Sequence, residues 1–186
     1  MDTPDLNVPN FQPTLQKGGF RFRALKESDF EKLYEAASDP LVWEQHPNKN
    51  RYQRKEFENF FQGALKSVGA GIIEEISTGE VAGSSRFYDY DKEKDEVFIG
   101  YTFYARKYWG KGVNAAIKDL MIRHAFLYVS RIKFHVGSEN YRSIKAMEKL
   151  GAKEIGRLMV AYFGESPKEN IEFLIEKKDY LPDFKG

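Results

Sequence analysis

One stretch constrains the fold of this chain more than any other. An apolar run, Val97-Phe98-Ile99-Gly100-Tyr101-Thr102-Phe103-Tyr104, is followed by Lys107-Tyr108-Trp109-Gly110-Lys111-Gly112-Val113-Asn114, and a helical pattern starts at Ala115. Two glycines flanking a lysine let successive backbone N–H groups point one way at a helix start, where the helix dipole adds partial positive charge. The stretch therefore reads as a strand delivering the chain to a phosphate cradle. A second pattern lies further on, where Asn140-x-x-Ser143 opens a helix that stops at Leu150-Gly151-Ala152.

Between the two patterns, Ala115 to Tyr128 places Ile117, Leu120, Met121, His124 and Tyr128 on one helical face. A helix of this kind crosses over a sheet, so the strand of Ile132, Phe134 and Val136 is expected to run parallel to the strand before it. His124 falls on the packed face and is expected to be a packing residue, whereas His135, alternating with Phe134 and Val136, is expected to be exposed.

Residues Met1 to Gly18 carry Pro4, Pro9 and Pro13 without a sustained period and predict a flexible or draped arm, with residues 19–186 as one domain. Phe20, Phe22 and Ala24 alternate with arginines as a half-buried strand. Ser28-Asp29-Phe30-Glu31 predicts a capping box, with Ser28 as N-cap, opening a helix that ends before Asp39-Pro40. A loop with Trp43, Glu44, His46 and Pro47 leads to a second helix built on Phe57, Phe60, Phe61, Ala64 and Leu65. Ala70–Ile76 and Val81–Tyr88 read as a hairpin around Ser77-Thr78-Gly79-Glu80, followed by a charged loop, Asp89 to Asp95. Lys153–Phe163 and Glu169–Glu176 close the chain as an antiparallel pair.

Composition removes several function classes. Lys plus Arg number 29 against 28 Asp plus Glu, a net +1, so no global field draws nucleic acid or an anionic membrane. The absence of cysteine excludes disulfides, thiolate metal sites and a covalent cysteine nucleophile, and no metal is expected. No segment reaches the ~18 apolar residues of a membrane span, so a cytoplasmic chain is expected, while the sequence leaves monomer and homodimer both open. Gly110-x-Gly112-x-x-Ala115 also fits a relaxed dinucleotide fingerprint, but antiparallel hairpins precede it and a second βαβ half is missing. A P-loop fails because Val113, not Lys with Ser or Thr, follows Gly112.

The order strand, Lys-x-x-Gly-x-Gly, helix, strand, Asn-x-x-Ser, helix, Gly-Ala resembles the GNAT superfamily of N-acetyltransferases, in particular its ribosomal-protein N-terminal acetyltransferase branch. The resemblance spans about Phe20 to Glu176 and is most specific from Ile99 to Ala152. It implies an α+β fold: a mixed, mostly antiparallel, twisted sheet of six or seven strands with about four flanking helices, its two parallel strands splayed. It also implies acetyl-coenzyme A as co-substrate. The diphosphate would lie on Lys107, Gly110, Lys111, Gly112, Val113 and Asn114, the pantetheine along Phe103 and Tyr104, and Asn140 and Ser143 would touch the cofactor. The implied reaction is direct attack of a primary amine, from a peptide N-terminus or a small molecule, on the thioester.

Two positions depart from the family pattern. Met147 replaces the tyrosine that many relatives use to protonate the departing thiolate, which leaves Ser143, the nearest matched hydroxyl, as candidate proton donor, with a bound water as the plainer alternative. Phe98 stands where the ribosomal branch often has a glutamate base, so Glu96, Glu44 and His46 are base candidates by chemistry alone. The same departures sustain an alternative, a catalytically silent acyl-coenzyme A sensor of the same fold.

Overall fold

A computed structural model describes residues 8–181. One eight-stranded sheet has the order β1-β2-β3-β4-β5-β6-β8-β7. Its strands are β1 (Leu15–Lys17), β2 (Phe20–Ala24), β3 (Ala70–Glu75), β4 (Val81–Asp91), β5 (Glu96–Tyr104), β6 (Arg131–Gly137), β7 (Lys153–Val160) and β8 (Lys168–Glu176). All neighbours are antiparallel except β5 and β6, which are parallel as the crossover predicts. Four helices of eight residues or more flank the sheet: α1 (Phe30–Ala37), α2 (Arg54–Lys66), α3 (Val113–Ala125) and α4 (Tyr141–Lys149). A short α5 (Lys177–Tyr180) follows.

The two faces of the sheet carry separate cores. Strand alternation sends Ile73 to the α3 and α4 side, with Ile117, Met121 and Phe134, and sends Ile72 to the α1 and α2 side, with Leu33, Trp43, Phe57 and Phe61. Burying each such side chain contributes about 1.5–3 kcal/mol, so the aromatic face of α2 holds that helix on the sheet.

Three sequence expectations are corrected here. The strand count is eight rather than six or seven, because Leu15–Lys17 of the supposed arm pairs with β2 as β1. Phe11 of the same segment packs on Phe87, Tyr90 and Tyr128, and the expectation for Met1 to Asn7 lies outside the described residues. Ser28 is not an N-cap: a 3₁₀ turn over Glu27–Asp29 precedes α1, and Asp29 accepts the Lys26 N–H at 2.8 Å. Arg23 of β2 decides this by gripping Asp29 through both terminal nitrogens, at 2.8 and 2.9 Å, while also donating to Glu74 at 2.6 Å. His135 is not exposed: its side chain keeps 10% exposure and sits between Glu172 and Tyr88, because β6 lies inside the sheet.

Candidate active site

A cavity of about 590 Å³ opens where β5 and β6 part. Their parallel register covers only Glu96↔Arg131, Val97↔Ile132 and Phe98↔Lys133, although both strands continue beyond it. Past Phe98 the only strand partner of β5 among the described residues is β4, and apart from the Trp109 indole N–H donating to the Tyr104 carbonyl at 2.9 Å its other edge is open to an extended ligand.

A bulge in β5 shapes this opening. Ser84 pairs with Phe103 but Arg86 with Gly100, so Tyr101 and Thr102 face Ser85. Tyr101 carries the bulge at φ 52°, a region that disfavours a bulky side chain. The consequence is a change of face. Val97 and Ile99 belong to the α3 core, yet Tyr101 and Phe103 join the α1 and α2 core. Gly100 marks a close approach, since a Cβ there would lie 3.0 Å from the Tyr88 ring.

The Gly-Lys-Gly segment turns into the start of α3. Gly110 and Gly112 have φ of 73° and 76°, and Gly112 is the N-cap of α3. The first intrahelical bond runs from Ala116 N–H to the Gly112 carbonyl, which leaves the amides of Val113, Asn114 and Ala115 before it. Gly110, Gly112, Val113, Asn114, Phe103, Tyr104, Asn140 and Ser143 all line the cavity. Lys107 and Lys111 do not: Lys107 turns outward to Glu80 at 2.6 Å, and Lys111 is exposed. Asn140 caps α4 by accepting the Ser143 N–H at 3.2 Å. Beyond Leu150, Gly151 closes the helix as Ala152 N–H returns to the Met147 carbonyl.

The base candidates fare differently. Glu96 is buried at the closed end of the β5–β6 pair, 3.2 Å from Lys133, and does not line the cavity. Glu44 points to solvent, also outside it. His46 does line the cavity, but it cannot serve as a free base. Its Nε2 accepts from Arg51 at 3.1 Å, and its Nδ1 meets the Asn48 N–H at 3.0 Å and the Asn48 carbonyl at 3.2 Å, so both ring nitrogens are engaged. Burial, and then the Arg51 charge, hold its pKa well below the ordinary value, so it stays neutral.

The loop and α2 side of the cavity is aromatic over buried cations. Arg51 is 1% exposed, donates to Glu165 at 2.9 and 2.6 Å, and stacks on Phe60 at 4.8 Å. Arg86 is 4% exposed, lies 3.9 Å from the Tyr101 ring centre and donates to the Gly63 and Phe60 carbonyls. No carboxylate pairs with Arg86 among the described residues, and burial lowers its pKa to about 10, so it remains charged. Tyr88, Tyr101 and Tyr162 form the cavity wall above these groups, and no Asp or Glu lines it.

Sequence reasoning passed over Lys118. It lies within α3, on a face whose apolar period gave no hint of a cation, and it reaches the cavity wall beside Thr102.

The acetyltransferase (GNAT) domain family model matches residues 20–153. The chain belongs to that family, whose members in general transfer acetyl from acetyl-coenzyme A to amines. No curated protein matches the sequence. Among solved structures, a GCN5-related N-acetyltransferase from Brucella melitensis is 18% identical, with 92% of this chain and 81% of that one aligned at a TM-score of 0.78. Mycobacterium smegmatis RimJ in complex with CoA-disulfide is 20% identical over 88% of this chain and 84% of that one, with a TM-score of 0.68. Spermidine N-acetyltransferase from Vibrio cholerae, in complex with CoA and spermine, is 16% identical over 88% of this chain and 98% of that one, also at 0.68.

The residues present fit a coenzyme A thioester. Asn114 Oδ1 and Tyr104 Oη are buried without a hydrogen-bond partner, and both residues line the cavity beside the open β5 edge. Such groups supply the partners that an amide-rich arm needs.

Proposed function

We propose that this protein transfers acetyl from acetyl-coenzyme A to an amine whose proton is lost cheaply, a peptide N-terminus or a small amine of similar basicity. The amides of Val113, Asn114 and Ala115 would hold the diphosphate. The free β5 edge at Phe103 and Tyr104 would align the pantetheine, and a strand N–H would polarise the thioester carbonyl. Alignment of two bound substrates supplies most of the barrier reduction.

The observation that carries the acceptor class is the charge of the wall. A carboxylate-free lining over Arg86 disfavours a bound ammonium by like charge, and Arg86 together with Arg51, whose own charge Glu165 balances, already occupies the aromatic faces. An α-amine with a pKa of about 7.7–8.0 needs only ~1.4 kcal/mol to become neutral at neutral pH, whereas a lysine needs over ~4 kcal/mol. A polyamine keeps a second cation even after losing one proton.

The test combines calorimetry with acetyl-coenzyme A and mass spectrometry on three acceptors: a peptide with a free N-terminus and no lysine, a blocked peptide with one lysine, and spermidine. Binding followed by acetylation of the free N-terminus is expected. A clear preference for lysine or spermidine overturns the acceptor class. Tight binding with no thiol release across a broad panel would make the chain a sensor, the reading that Met147 in the cavity wall favours.

A further inference from the structure

Lys118 is 3% exposed on α3 and makes no ion pair among the described residues. Its Nζ donates to Thr102 Oγ1 at 2.8 Å and to Ser85 Oγ at 3.4 Å, and those hydroxyls lie 2.7 Å apart. The groups facing it are Ser85 from β4, Thr102 from β5 and the Phe134 ring from β6, centred 6.0 Å away. None is charged. A neutral lysine with two N–H groups given to hydroxyls retains one lone pair, and Lys118 lines the cavity at the bulge that opens it. The other cavity groups that ordinarily titrate near neutrality are engaged: His46 by Arg51, and His135 by Glu172.

We propose that Lys118 is the proton-transfer residue of this site, taking a proton from the attacking acceptor nitrogen and delivering it to the departing sulfur. The inference rests on the acetyl-transfer reading above. As the N–C bond forms and the C–S bond breaks, one proton passes from the acceptor nitrogen to Nζ and then to sulfur, and Lys118 ends neutral. One group thus covers both roles that Phe98 and Met147 leave unfilled. Burial agrees, since it lowers the Lys118 pKa from 10.5 to about 7, where an amine exchanges protons readily at neutral pH.

The experiment uses the full chain and the variant Lys118→Met, which keeps the side-chain length and leaves Ser85 and Thr102 bonded to each other. Acetyl-coenzyme A affinity should stay within about threefold of wild type, while kcat falls by about 10²-fold or more. The acid limb of the wild-type kcat profile near pH 7 should vanish in the variant. Independently of turnover, a ¹³C NMR titration of wild-type lysine Cε groups should show one midpoint near 7, assigned by its loss in Lys118→Met. A titration midpoint above about 9, or a variant with unchanged kcat and acid limb, overturns the proposal while acetyl transfer stands. A wild-type chain that binds acetyl-coenzyme A yet acetylates nothing overturns both.

Discussion

At the residue scale, two basic side chains, Lys118 and Arg51, sit where water does not reach. Lys118 links stability to pH with a definite sign. Its folded pKa lies near 7 and its unfolded value near 10.5, so between these the unfolded chain holds a proton that the folded chain has released. Stability should therefore rise with pH across that window relative to Lys118→Met, and run parallel to it below pH 7. Urea unfolding of both proteins across that range measures the difference. Arg51 depends on Glu165, 114 residues away in sequence. Glu165→Gln leaves a guanidinium buried without its counter-charge, and a loss of about 3–5 kcal/mol in unfolding free energy is expected, read from urea unfolding. Gly112→Asp places a carboxylate at the α3 N-terminus. The space around the Cβ is open and the φ of 76° adds a strain of about 1–2 kcal/mol, so the chain should still fold, less stably, while calorimetry finds acetyl-coenzyme A binding lost. Unchanged affinity would refute the cradle.

At the element scale, the sequence showed where chemistry would lie but not how the strands present it. The Gly-Lys-Gly turn and the Asn140 cap were legible because their causes are local: positive φ at glycine and an amide side chain reaching three residues on. The bulge was only partly legible. Gly100 pointed to it, but the residue that takes the strained conformation is Tyr101, and the face change that carries Phe103 to α2 depends on Arg86 and Phe60 from other elements. The Ser28 cap failed for the same reason, since Arg23 on a neighbouring strand claims Asp29. Asn140→Ala removes the α4 cap and should cost about 1 kcal/mol of stability, read from thermal unfolding.

At the scale of the molecule, the sheet is one surface with two cores, and the cavity exists because a parallel pair opens between them. The N-terminal segment belongs to that architecture. Phe11 touches Phe87 and Tyr128, and Lys17 pairs with Asp119 of α3 at 2.7 Å. Phe11→Ala is expected to cost about 1–2 kcal/mol and to lower Tm by a few degrees, which calorimetric unfolding would detect. Among the described residues no helix is long and apolar enough to cross a membrane.

The sequence alone was enough for the order of the strands and long helices from β2 to β8, the parallel pair, the glycine turn ahead of α3 and the family. Each of these is written in periodicities and turns spanning a few neighbouring residues. Tertiary structure alone decided which charges the site can use. Desolvation is a property of everything packed around a group, so no local pattern could show that Glu96 is sealed away, that His46 is already spoken for, or that Lys118 stands beside the opening as an amine near its titration point.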